Sequence, residues 1–136
     1  KQVAWIEDSM VRYGMHLGTA FHLIDDALAY GASGEDIGKN LGDDLAEGKP
    51  TLPLIHAMRR GTPDQVKAIR SAIENGGLEQ IDTVLEAIES TQAIAYTAQS
   101  AQDEADLAIE ALAELPESPY KAALYGLAEF SVNRSY

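Results

Sequence analysis

Cysteine is absent from the 136 residues. That excludes a disulfide framework, a cysteine-held iron–sulfur cluster, a cysteine-type zinc site and a thiolate nucleophile, and it fits a reducing compartment. Cations are scarce: ten Lys and Arg stand against 22 Asp and Glu, a formal net charge of −12. A surface this acidic repels nucleic acid and anionic membrane. It also repels a phosphorylated substrate unless metal ions and a few placed cations intervene. Long apolar runs are missing too. None approaches the roughly 18 residues of a membrane span, and Lys1–Asp8 lacks the shape of a signal peptide. Alternating apolar and polar residues, the mark of a half-buried strand, do not occur over any useful length.

What is present is an ordinary globular composition. Hydrophobic residues make up 46% of the chain, too many for disorder. At this length a folded chain buries roughly two-thirds of its unfolded surface. The apolar spacing is helical nearly throughout, which predicts an all-α fold in a single domain. The first helix is expected over about Val3–Tyr30. It opens on Lys-Gln-Val-Ala-Trp-Ile, with no capping signal and no initiator Met, so the chain is expected to be a piece of a larger domain. Residues 31–50 read as a Gly- and Asp-rich loop, with Ser33 and Asp36 as a local cap. A helix follows to Arg60, where Gly61 stops it. Thr62-Pro63-Asp64-Gln65 is a strong helix start, with Thr as N-cap, Pro at N1 and Gln at N3. Asn75-Gly76-Gly77 ends that helix. Leu78–Leu115 reads as one long helix or two, with an Ala-, Ser- and Gln-rich middle. Ser118 and Pro119 open a final helix to about Asn133.

The chemistry concentrates between Gly18 and Pro53. Asp25 and Asp26 stand in an apolar stretch with Phe21, Leu23, Ile24, Ala27 and Leu28. Adjacent like charges there are costly unless something positive neutralises them. His22, Asp25, Asp26 and Ala29 share one helical stripe that could face a cleft. Two carboxylates suit Mg²⁺, whose shell is completed by water and phosphate oxygens. The following segment carries Lys39, Asp43, Asp44, Glu47 and Lys49. Only five lysines occur in the chain, and two of them lie here. Acids, lysines and glycines together fit a metal-bridged diphosphate site. The plainer alternatives are a solvated acidic helix face and a surface segment of self-cancelling ion pairs. Elsewhere the plainer reading is preferred. Trp5, Tyr13, Tyr120 and Tyr125 are expected to pack, and His16 and His56 to be surface or hydrogen-bonded residues. Asp103, Glu104 and Asp106 are expected to form a solvated face, and Arg134 to be a helix-end cation.

The runs FHLIDD and GKNLGDDLAEGKPTLPLIHAM, in that order, resemble the trans-polyprenyl diphosphate synthase family, most nearly its bacterial octaprenyl members. The likeness covers the later part of the family chain. It implies an isoprenoid-synthase helical bundle acting in the cytoplasm as a homodimer. The implied reaction is Mg²⁺-dependent condensation of isopentenyl diphosphate onto an allylic diphosphate, for quinone side chains. By position, it implies that Asp25 and Asp26 are the first two acids of the second aspartate-rich motif and bind Mg²⁺. Lys39 and Lys49 would contact the allylic diphosphate, and Phe21 and His22 would contribute to substrate binding. Asp43 and Asp44 would sit in a segment closing over the site.

Two departures stand out. The family motif DDxxD has Ala29 where a third acid belongs, and the family Gln is His22. An Asp at position 29 is expected to add a third carboxylate to the metal cluster. The first aspartate-rich motif and the isopentenyl diphosphate site lie upstream in relatives, so these 136 residues alone are expected to be inactive. The alternative reading is a non-catalytic subunit that pairs with an active synthase.

Overall fold

A computed structural model describes residues 2–30, 34–76 and 79–133, without the side chains of residues 2, 34–38 and 40. The expectations on Ser33, Asp36, Gly77 and Arg134 lie outside what is described. Among the described residues there are seven α-helices and no strand: α1 (Gln2–Tyr30), α2 (Gly34–Ala46), α3 (Leu52–Arg60), α4 (Pro63–Asn75), α5 (Ile81–Ser90), α6 (Ala93–Ala111) and α7 (Pro119–Asn133). The all-α expectation holds. No helix described is long and apolar enough to cross a membrane.

Residues 31–50, expected as a loop, are mostly helix, since α2 runs to Ala46. Two glycines inside it, Gly38 and Gly42, each cost about 1 kcal/mol relative to Ala. The apolar spacing outweighs them. Ile37, Leu41 and Leu45 fall four apart, and Leu41 and Leu45 are both 0% exposed. Burying each contributes roughly 1.5–3 kcal/mol. Among the described residues of this segment the irregular part is 47–51, where Gly48 takes a left-handed φ of 68°.

The short-range signals hold elsewhere. Thr62 and Gln65 form a reciprocal capping box, with Thr62 Oγ1 accepting from the Gln65 amide at 3.2 Å and Gln65 Oε1 accepting from the Thr62 amide at 3.0 Å. Gly76 closes α4 in the left-handed conformation, its N–H on the Ala72 carbonyl. Leu78–Leu115 resolves into two helices. They part at Thr91-Gln92, where Gln92 has φ 54° and the Thr91 hydroxyl turns back to the Ala87 carbonyl at 2.7 Å. Ser118 caps α7 by accepting from the Lys121 amide at 3.1 Å.

The chain divides into two compact units, Asp25–Thr97 and Lys1–Ile24 with Ala98–Tyr136. In the first, Tyr30, Leu41, Leu45, Leu54, Ile69, Val84 and Ile88 form a buried core. His56 stacks on Tyr96 with ring centroids 4.0 Å apart and donates Nε2–H to the Thr91 carbonyl at 3.0 Å, so it is hydrogen-bonded as expected. In the other unit Tyr13, Leu17, Leu112 and Ala128 form a second core. Tyr13 packs as expected, and its hydroxyl donates to the Leu124 carbonyl at 2.6 Å. Two expectations need correction here. Tyr120 and Tyr125 are exposed, because Leu124, Ala128 and Ser131 form the inward stripe of α7. Glu104 is not simply solvated. It accepts from His16 Nδ1 at 3.0 Å, while Asp103 and Asp106 stay on the exposed face.

Candidate diphosphate and metal site

Near the end of α1, Tyr30 brings Asp44 and Thr51 together. Asp25 is exposed and Asp26 half-buried, one turn before the helix ends at Tyr30. The Tyr30 side chain is buried. Its hydroxyl donates to Asp44 Oδ2 on the last turn of α2 and also meets Thr51 Oγ1 at 3.1 Å. A phenol has one proton to give. With that proton on the Asp44 carboxylate, Thr51 is the donor in the second bond. Thr51 is the N-cap of α3 yet makes no side-chain cap bond; its hydroxyl serves Tyr30 instead. Burial raises the Tyr30 phenol pKa well above the usual tyrosine value; the bond to Asp44 and the charges of Asp44 and Asp26 raise it further, while the Thr51 bond opposes them. The second acid of the pair and the Asp44 carboxylate thus act on the same hydroxyl.

Lys49 lies in the connection between α2 and α3. Its N–H donates to the Asp44 carbonyl at 2.9 Å, and its carbonyl accepts from the Thr51 amide at 3.1 Å. The Lys49 side chain is exposed, as is that of Lys39 on α2. Asp43 is exposed and Asp44 half-buried. His22 and Phe21 lie one turn before the acid pair on α1, in the part of the helix that belongs to the other unit. His22 is exposed, whereas Phe21 is half-buried and packs against the Tyr13, Leu17 and Leu112 core.

Ala29 ends the expected stripe on α1. It is half-buried and packs against the Leu41, Leu45 and Leu54 core. Among the described residues no group of three or more His, Cys, Asp or Glu is placed to hold a metal ion. A pair of hard carboxylates remains. Mg²⁺ is commonly held in this way, by one or two carboxylates with phosphate and water oxygens, whereas a Ca²⁺ site takes six to eight oxygens. The donor set fits Mg²⁺ on that ground. Sequence reasoning missed Tyr30 and Thr51. The only local sign was a tyrosine four residues after Asp26, at a position that the helix ending there turns inward.

The model of the Polyprenyl synthetase family matches residues 2–91. The chain belongs to the polyprenyl synthetase family. It is 54% identical over 129 residues to the octaprenyl diphosphate synthase of Escherichia coli K12, covering 94% of this chain and 40% of that protein. The crystal structure of a polyprenyl synthase from Caulobacter crescentus CB15, complexed with calcium and isoprenyl diphosphate, superposes with a TM-score of 0.76 at 40% identity. That match covers 95% of this chain and 40% of the other. A geranylgeranyl pyrophosphate synthase from Corynebacterium glutamicum, complexed with isoprenyl diphosphate and magnesium, superposes with a TM-score of 0.70 at 28% identity. That match covers 93% of this chain and 37% of the other. The isoprenoid-synthase helical fold expected from the sequence is therefore correct, and the chain spans about 40% of the length of the curated relative it matches.

Proposed function

We propose that the chain is the C-terminal part of a trans-polyprenyl diphosphate synthase of octaprenyl type, one that condenses isopentenyl diphosphate onto an allylic diphosphate for quinone side chains. The observation that carries this reading is the close identity to an octaprenyl diphosphate synthase along nearly the whole chain. The clustering of Asp26, Tyr30, Asp44 and the Lys49 backbone supports it. On this reading the enzyme acts in the cytoplasm as a homodimer.

In the proposed reaction the allylic C–O bond breaks and its electron pair leaves with the diphosphate. The double bond of isopentenyl diphosphate attacks the allylic cation, and a proton is lost from the product. Asp25 and Asp26 would hold Mg²⁺, which would supply positive charge to the departing diphosphate. Lys39 and Lys49 donate to the non-bridging diphosphate oxygens, and each charge-assisted bond orients the leaving group as well as binding it. On this reading His22 and Phe21, one turn before the acid pair in the sequence of α1, contribute to substrate binding. Two acids in place of three favour a second reading, a non-catalytic subunit that keeps the fold and pairs with an active synthase.

A chimera separates the two. The matching segment of the E. coli octaprenyl diphosphate synthase is replaced by these residues, and transfer of radiolabelled isopentenyl diphosphate is measured. Elongation that depends on Asp25 and Asp26 supports the enzyme. A folded chimera with no elongation supports the silent subunit. The 136 residues alone are expected to show no condensation, because positioning two reactants supplies roughly 7–11 kcal/mol in well-oriented cases and the partner site for isopentenyl diphosphate is expected upstream.

A further inference from the structure

Segment 44–51 is tied at both ends to one atom. Asp44, its first residue, accepts the proton of the Tyr30 hydroxyl, and Thr51, its last, donates to the same oxygen. Between them the backbone closes on itself: Gly48 N–H on the Leu45 carbonyl at 3.0 Å, Lys49 N–H on the Asp44 carbonyl at 2.9 Å, and Thr51 N–H on the Lys49 carbonyl at 3.1 Å. Gly48 makes this closure possible with φ 68°, a conformation that costs a side-chain-bearing residue energy. Lys49 is therefore held in its backbone while its side chain stays exposed. Tyr30 is itself fixed, being the last residue of the helix that carries Asp25 and Asp26 and 98% buried.

We infer that Tyr30 is a positioning residue. Its hydroxyl, shared between Asp44 and Thr51, sets where Lys49 stands relative to the Asp25–Asp26 pair, and so sets how well a metal-bound diphosphate is held. The inference rests on the diphosphate-site reading above. It assigns a role to two residues, Tyr30 and Thr51, that never touch the ligand. The physical case is one of rotational freedom. A lysine on an untethered connection samples many placements, and ordering it on binding lowers affinity. A connection anchored at both ends has largely lost that freedom before the ligand arrives.

The test is calorimetric titration of the 136-residue chain with inorganic pyrophosphate in MgCl₂, with helical circular dichroism as the check on folding. Tyr30→Phe keeps the ring and removes the hydroxyl. It is expected to weaken pyrophosphate affinity by about five- to tenfold, on the scale of one lost orienting contact. Thr51→Val breaks one of the two ties and should lose part of this, while Thr51→Ser keeps the hydroxyl and should bind as the original chain does. These two variants decide the question if Tyr30→Phe does not fold. The discriminating comparison is Tyr30→Phe in a Lys49→Ala background, where a hydroxyl that works through Lys49 should add less than about a twofold loss. Undiminished affinity in Tyr30→Phe, or a loss that adds in full to that of Lys49→Ala, overturns the inference and leaves the site standing. No Mg²⁺-dependent binding by the original chain, or none lost in Lys49→Ala, overturns the site reading and the inference with it.

Discussion

Replacing Ala29 by Asp puts the packing of the site to a quantitative test. The family motif carries an acid at this position, yet here the methyl group packs against the Leu41, Leu45 and Leu54 core. Four effects oppose the substitution. Asp is a poorer helix former than Ala by about 0.5–0.7 kcal/mol. Position 29 lies in the last turn of α1, which ends at Tyr30 and has no basic residue there. A negative charge at that end of the helix dipole costs about 0.3–1 kcal/mol. Asp25 and Asp26 lie four and three residues back, and each like-charge pair costs roughly 0.2–0.5 kcal/mol. Covering part of a carboxylate adds about 1 kcal/mol, the low end of the range because the site is only half-buried. The total is about 2–4 kcal/mol. For a chain of this size that corresponds to a melting temperature lower by roughly 6–20 °C. Thermal unfolding by circular dichroism at neutral pH measures it. Ala29→Asn, of similar shape and neutral, should show about half the loss. Mg²⁺ should not restore Ala29→Asp. A variant that melts with the original chain, or that Mg²⁺ stabilises more than it stabilises the original, refutes the reasoning and turns position 29 towards the metal.

Other outcomes follow from single contacts. Lys39→Ala or Lys49→Ala should each weaken Mg²⁺-dependent pyrophosphate binding roughly ten- to a hundredfold, the scale of a lost charge-assisted bond; Lys67→Ala, on the exposed face of α4, should change little in the same titration. Thr62→Ala removes one half of the α4 capping box and should lower stability by about 1 kcal/mol in a denaturant titration. Tyr13 and Tyr30 both have pKa values raised by burial. Their protonated forms belong to the folded state, so stability is full below the unfolded tyrosine value of about 10 and is lost as pH rises through the higher folded values. Denaturation at pH 8 and pH 11 should therefore show a fall in the original chain that is smaller in Tyr13→Phe.

What was legible in the sequence was local. The Thr62-Pro63-Gln65 start, the Gly76 stop and the Ser118-Pro119 start each act within four residues, and each is found as read. The acid pair and the two lysines stood out by residue type and spacing, and the resemblance added the roles that the pyrophosphate titration tests. The helix α2 was misread because its glycines carry a turn signal that only tertiary burial of Leu41 and Leu45 overrides. The Tyr30 hydroxyl was not legible at all, since its partners lie 14 and 21 residues away. Ala29 illustrates the same limit. Its place on the stripe follows from helical spacing, but which part of that stripe meets the core depends on α2 and α3. The exposure of Tyr120 and Tyr125 likewise depends on which stripe of α7 turns inward.

The central claim is that Asp25 and Asp26 hold a metal ion that in turn binds a diphosphate. Its most direct test is calorimetric titration of the chain with inorganic pyrophosphate, with and without Mg²⁺, beside the Asp25→Asn/Asp26→Asn double variant. The expected result is saturable binding that requires Mg²⁺ and disappears in the double variant while its helical signal is retained. Binding that persists without the metal, or survives the loss of both carboxylates, contradicts the account.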